Sequence, residues 1–270
     1  MLEIIHISDT HFGPNRDERI RGAQVYSRAQ QLVAAIAELP FSPDWIIHTG
    51  DVVNDPDPEA YELAAEVLGE LKAPVYYATG NHDDAALLSA KMSLGSHTDL
   101  MPDQADRLVY RIESGRDAAP IDCFVIDGKV DEAEGPHGHI SEDQLAALAS
   151  AIDPDRAFAL FLHYPLIPLD SAWIDQHLIT RNGEAVLAAV KRAAGDKLLG
   201  VFCGHVHRDM QVFREGVMHS IVSSPACEFS AGPDDESCDF LPTANLPFHH
   251  ISLSPDSVSV KAYHLAADAT

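Results

Sequence analysis

Ile46-Ile47-His48-Thr49-Gly50-Asp51 is a short apolar run that breaks at Gly-Asp. Such a run reads as a buried strand that delivers a carboxylate to the edge of a sheet. Four other apolar runs end in the same way, handing over Asp9 and His11, Asn81 and His82, His163, and His205 and His207. A carboxylate has two oxygens and can bridge two cations, so Asp51 flanked by two sets of donors fits a dinuclear metal centre.

Outward from that stretch, Leu2–Ile7 reads as a strand, followed by a polar loop and a helix over Val25–Leu39, in which Leu32, Ile36 and Leu39 share a face. After Trp45–His48, Pro56-Asp57-Pro58-Glu59 opens a helix over Tyr61–Leu71, with proline and acid in the first turn, where the helix dipole favours them. Pro74–Thr79 is the next strand. This alternation implies parallel strands with right-handed crossovers and functional groups beyond the strands' carboxyl ends. Residues 85–106 are less regular and are expected to form a lid or cap. Leu108–Ile112 and Cys123–Ile126 read as strands joined by a Gly/Asp/Pro-rich turn. Ser141 and Gln144 look like a capping box for a helix over Asp143–Ile152. The strand Ala157–Leu162, a helix over Glu184–Ala194 and the strand Leu198–Phe202 follow. Beyond His207 the helices stop and hairpin-like strands take over near Met210–Phe213, Val217–Val222, Phe248–Leu253 and Val258–Tyr263. These are expected to build a second, mixed sheet packed on the first. The irregular stretch 225–247 is a second candidate cap element on a single domain spanning residues 1–270.

The 270 residues suffice for one large α/β domain with a well-buried core. With 42 acidic against 18 basic residues, the net charge of -24 opposes binding to nucleic acid or acidic membrane. Cys123, Cys203, Cys227 and Cys238 are widely spaced, which argues against a zinc knuckle or disulfide scaffold and for inert thiols in a reducing compartment. The first residues enter a strand directly, and no run approaches the roughly 20 apolar residues that span a bilayer. A cytoplasmic protein without membrane partners is the expectation.

Oxygen and imidazole donors without thiolate suit Mn, Fe, Zn, Co or Mg. In one allocation Asp9, His11 and His207 hold the first ion, Asn81, His163 and His205 hold the second, and Asp51 bridges them. Two such ions lower the pKa of bound water, neutralise phosphate oxygens and orient an in-line attack. Phosphate-ester hydrolysis needs those three things and requires no nucleophilic Ser or Cys. His82 follows Asn81 directly, so a turn that aims the amide at a metal aims the imidazole at substrate, where it can protonate the leaving alkoxide. Asn54 or Asp83 is its candidate orienting partner. Any one piece, such as Asp-x-His, is more often a polar turn than a ligand pair; five in order, each directly after a strand, are not. His6, His48, His219, His249 and His250 lie inside strand patterns and read as packed or surface histidines.

Together these residues resemble the signature of calcineurin-like metallophosphoesterases over nearly the whole chain. Gly22–Ile36, Glu59-Ala60-Tyr61, Ser171–His177 with Asn182, and Ser223–Phe229 are most similar to bacterial class III cyclic nucleotide phosphodiesterases. The resemblance implies an α/β fold, a four-layer αββα sandwich of two mixed β-sheets flanked by helices, with the ligand allocation given above. It also implies hydrolysis of a small phosphodiester, a 3′,5′-cyclic nucleotide such as cAMP being the best single guess. Trp173 is then a candidate for stacking on a purine, and Asn54, His177 and Asn182 for touching phosphate or sugar; a homodimer is common among relatives. A glycerophosphodiesterase or phosphomonoesterase is the alternative on the same centre. A nuclease fits the acidic balance poorly, and a noncatalytic scaffold fits poorly with seven competent donors. Three departures stand out: His163-Tyr164-Pro165 where His-His-Pro is usual, Asp170 where relatives commonly have Gly, and Asn54 where some phosphatases have an Asp.

Overall fold

The computed structural model describes residues 1–113, 121–230 and 232–267. The elements run β1 (Leu2–Ile7), β2 (Arg19–Ile20), β3 (Ala23–Gln24), α1 (Val25–Ala37), β4 (Trp45–His48), α2 (Pro58–Leu68), β5 (Val75–Tyr77), α3 (Ala85–Lys91) and β6 (His97–Asp99). They continue through β7 (Tyr110–Ile112), β8 (Ile121–Val125), α4 (Glu142–Ala151), β9 (Ala157–Phe161), α5 (Ala172–His177), α6 (Gly183–Ala194) and β10 (Leu198–Cys203). The chain then runs through β11 (Met210–Arg214), β12 (Val217–Ile221), β13 (Glu228–Phe229), β14 (Phe240–Leu241), β15 (Asn245–Ser254) and β16 (Ser257–Ala266). The turn expected between β7 and β8 falls on residues 114–120, outside the described residues.

Two large sheets carry the fold. Among the described residues the first has the order β16-β15-β1-β4-β5 and the second β11-β12-β10-β9-β8-β7-β6. β1, β4 and β5 pair in parallel, as do β8, β9, β10 and β12, while β15 lies antiparallel to β1. Alternation along the second sheet sorts its side chains between two cores. Cys123, Val125, Ala159, Phe161 and Phe202 join the cluster that holds the first sheet and helices α1 and α2. Phe124, Phe158, Leu160 and Val201 join Leu148 of α4 and Val186 and Val190 of α6. The Trp45 ring meets Phe161 edge-on across the gap between the sheets, at 5.5 Å. The layers are therefore helix, sheet, sheet, helix, and strands buried on both faces read as unbroken apolar runs.

Helix starts follow local chemistry. The Asp57 side chain accepts from Glu59 N at 2.7 Å, with Pro58 in the first turn of α2. Ser141 accepts from Gln144 N at 3.3 Å, but the Gln144 amide brackets the Asp127 backbone instead of reaching back to Ser141. Only half of the expected capping box forms.

Two expectations need correction. The four hairpin strands expected after His207 do not form a sheet of their own: β11 and β12 extend the second sheet through β10, and β15 and β16 extend the first through β1. The physical reason is burial. β15 is buried along both faces from Leu246 to Leu253, so it must be paired on both edges, and β1 offers the open one, Leu2 opposite Leu253. Residues 85–106 do not cover the site. They supply α3 and the edge strand β6, which pairs antiparallel with β7.

Candidate metal centre

Each loop that follows β1, β4, β5, β9 and β10 turns sharply at the strand's carboxyl end, and the turning residues are the sequence's donor candidates. Asp9, His11, Asp51, His205 and His207 all have φ between 48° and 73°. They are five of the eight non-glycine residues in the left-handed region among the described residues. That conformation is strained for a side chain with a Cβ, and it persists only where the surroundings enforce it. The glycines ahead of them allow the loops to touch. A Cβ on Gly80 would stand 2.1 Å from Asp51 Oδ1, and one on Gly204 would stand 1.9 Å from Ser8 Oγ and 2.4 Å from Asp9 Oδ2.

Two donor groups result, one of Asp9, His11, Asp51 and His207, the other of Asp51, His163 and His205, with ligand atoms inside each within 4.8 Å of one another. Asp51 belongs to both, and all six are buried. Asn81 lines the same cavity, and its Oδ1 is buried without a hydrogen-bond partner, as are His205 Nε2 and His11 Nδ1. His163 Nδ1 donates to Thr49 O at 2.7 Å and His207 Nδ1 to Cys227 O at 3.1 Å. Carbonyls only accept, so these bonds fix the tautomer and aim both Nε2 atoms inward. There Nε2 of His163 lies 3.2 Å from Asp51 Oδ2, and Nε2 of His207 lies 3.2 Å from Asp9 Oδ1 and 3.1 Å from His11 Nε2. Lone pairs that converge on carboxylate oxygens at such distances repel unless a cation or a proton stands between them. This donor set fits a dinuclear metal site.

Burial opposes charge on His163 and His207, but Asp51 and Asp9 outweigh it, pushing their pKa values up to about 9 and about 10. Burial would raise Asp9 as well, yet His207 and His163 hold it well below the usual carboxylate range. For His11 and His205 burial prevails and drives the pKa down to about 3.

A second set of contacts braces the loops. His6 of β1 bonds Thr49 Oγ1 at 2.9 Å, and His48 of β4 bonds Thr10 Oγ1 at 3.0 Å. Each strand thus holds the loop that follows the other. His6 and His48 are fully buried, as expected of packed histidines. Ser224 Oγ donates to Asp9 O at 2.7 Å, and the Phe229 ring stacks on His207 at 4.4 Å.

His82 is half-buried in the wall of the cavity; its N donates to Asp51 Oδ1 at 2.9 Å and its Nδ1 to Asn54 O at 2.6 Å. Asn54 therefore steadies His82 by its backbone carbonyl, while its side chain, bonded to Asp55, lines the cavity. Asp83 is not a partner of His82. Its buried carboxylate accepts from Val52 N, Val53 N, Gly80 N and the Tyr61 hydroxyl, tying the β4 and β5 loops together. Burial, and then the Asp51 charge, push its pKa up to about 6.

Of the other candidates, Trp173 lines the cavity, whereas His177 lies behind it, ring to ring at 5.3 Å, and Asn182 is elsewhere. Both ends of the Asn182 amide are used on the Ile140 backbone, at 3.0 Å and 2.7 Å. Residues not named as site candidates complete the wall: Arg21 from the β2–β3 hairpin, Pro136, and Phe229 and Phe240 from β13 and β14. The 225–247 stretch thus contributes to the rim. No helix among the described residues is long and apolar enough to cross a membrane.

The calcineurin-like phosphoesterase family profile matches residues 2–209. The chain belongs to this family. It is 29% identical over 214 residues to the 3′,5′-cyclic adenosine monophosphate phosphodiesterase CpdA of Escherichia coli K12, covering 78% of this chain and 71% of that one. It is 28% identical over 242 residues to the glycerophosphodiester phosphodiesterase GpdQ of Enterobacter lignolyticus, covering 85% and 81%. A dimetal phosphatase from Danio rerio shares the fold at a TM-score of 0.70 and 15% identity, over 98% of both chains. This phosphoesterase is accordingly a metal-dependent phosphoester hydrolase.

Proposed function

We infer that the site hydrolyses a small phosphodiester, a 3′,5′-cyclic nucleotide such as cAMP being the best candidate, to a nucleoside 5′-monophosphate. The observation that carries this reading is the pair of donor groups sharing Asp51, with His82 fixed beside them. Asp9, His11 and His207 would hold one divalent ion, Asn81, His163 and His205 the other, and Asp51 both. When bound, the ions supply water activation and charge neutralisation for the phosphate. The chain's residues do the rest. With Nδ1–H committed to Asn54 O, His82 in its imidazolium form offers the Nε2 proton to the departing alkoxide and ends as the neutral Nδ1–H tautomer. Trp173, Phe229 and Phe240 give the leaving group a flat apolar wall in a cavity of about 280 Å³. Relatives named for cAMP and for glycerophosphodiesters support a diesterase, and the aromatic wall favours the nucleotide.

The test is turnover by protein loaded with Mn, metal content measured alongside. Diester substrates (cAMP, cGMP, bis(p-nitrophenyl) phosphate) should outpace p-nitrophenyl phosphate. Protein that carries two ions per chain and turns over no diester would end this reading; a better monoester rate would replace it with a phosphomonoesterase.

A further inference from the structure

We propose that Arg21 is a charge filter for the alcohol side of the substrate: it disfavours diesters whose alcohol is cationic and admits those whose alcohol is flat and neutral or anionic. The inference rests on reading the site as a diesterase.

Beside the donors, part of the cavity wall is an aromatic box. Phe229 lies flat on His207, with Phe240 edge-on to it at 4.9 Å and Trp173 edge-on at 6.2 Å. On its own such a box suits a quaternary ammonium group, drawn to ring faces. Arg21 changes that preference, because its guanidinium lines the same cavity and sits 3.3 Å from the Phe240 ring centroid, covering one face of that ring. The placement is built into the backbone: Arg21 and Gly22, at φ 48° and 91°, are the central pair of the tight β2–β3 hairpin. Among the described residues no carboxylate pairs with Arg21, although acidic residues outnumber basic ones 42 to 18. Its charge is therefore left to act on whatever enters. An ammonium group brought into the box meets a like charge at the rim, whereas a nucleobase or an anionic group meets a planar donor.

The test uses Mn-loaded protein and two phosphomonoesters that differ in the alcohol, AMP and phosphocholine, with dissociation constants by calorimetry for wild type, R21E, R21K and F240A. Wild type should bind AMP more tightly. R21E should move the AMP-to-phosphocholine affinity ratio by about tenfold or more toward phosphocholine, as expected for reversing one nearby charge. R21K should keep the exclusion of phosphocholine, and F240A, which frees the guanidinium from its ring, should weaken it. The kcat/KM ratio for cAMP against glycerophosphocholine should move with the affinities. An unchanged ratio in folded R21E, equal affinities in wild type, or no binding of either ligand overturns the proposal. Absence of diester turnover with the affinity shift intact would instead count against the diesterase reading alone.

Discussion

His82 and Asn54 show how a side chain and a backbone atom divide one task. Because His82 donates Nδ1–H to a carbonyl, the identity of the side chain at position 54 matters little to its orientation. H82A should lower kcat for cAMP by about 10²- to 10⁴-fold with metal content by mass spectrometry unchanged. The loss should be much smaller for bis(p-nitrophenyl) phosphate, whose leaving group needs no proton. N54A should lose far less than H82A on cAMP. At this scale the donors were legible because each directly follows an apolar run, and Asp170 proves to have a left-handed φ of 57°, a conformation that glycine takes without strain. Asn182, Asp83 and Arg21 were not legible. Whether an amide faces a ligand or a backbone, and whether an arginine at a hairpin tip meets a ring 219 residues later, is decided by packing between distant segments.

At the scale of elements, the strand-to-loop junctions carry the site. G80A and G204A each push a methyl group into a carboxylate donor, so both should lose bound metal and about 1–3 kcal/mol of stability in urea unfolding. The strands also carry an acid liability. Burial drives His48 and His219 down to a pKa of about 4 and His6 well below its ordinary value. Their folded pKa values lie below the unfolded 6.5, so the unfolded chain takes up protons that the folded one refuses. The contribution of these histidines is complete above pH 6.5 and is lost as pH falls toward 4, by up to about 1.4 kcal/mol per pH unit for each one. In chemical denaturation of metal-free protein between pH 6.5 and 4.5, H219Q should lose less stability than wild type; equal losses would mean that His219 is charged in the fold. Strand positions were readable from apolar runs, but sheet membership was not, because a hairpin such as β15–β16 carries no mark of which open edge it will join.

For the whole molecule, the donor cluster lies where the two sheets meet, with Asp9, Asp51 and Asn81 coming from the first and His163, His205 and His207 from the second, so that the proposed metal pair would sit between them. Ions held there tie the sheets together and bind the folded state alone. Stripping them with a chelator should lower the melting temperature, and restoring metal at about a hundred times its dissociation constant should recover about 2.7 kcal/mol. D51N, which weakens both halves of the site, should erase most of that response.

The left-handed turns at positions 9, 11, 51, 205 and 207 carry one more implication. Glycine would relax each of them, so a chain free to forget its chemistry could relieve its own backbone there while remaining in this architecture. A silenced variant built by such exchanges can be sturdier than its working parent, and tolerance of the shape is then no guide to survival of the reaction.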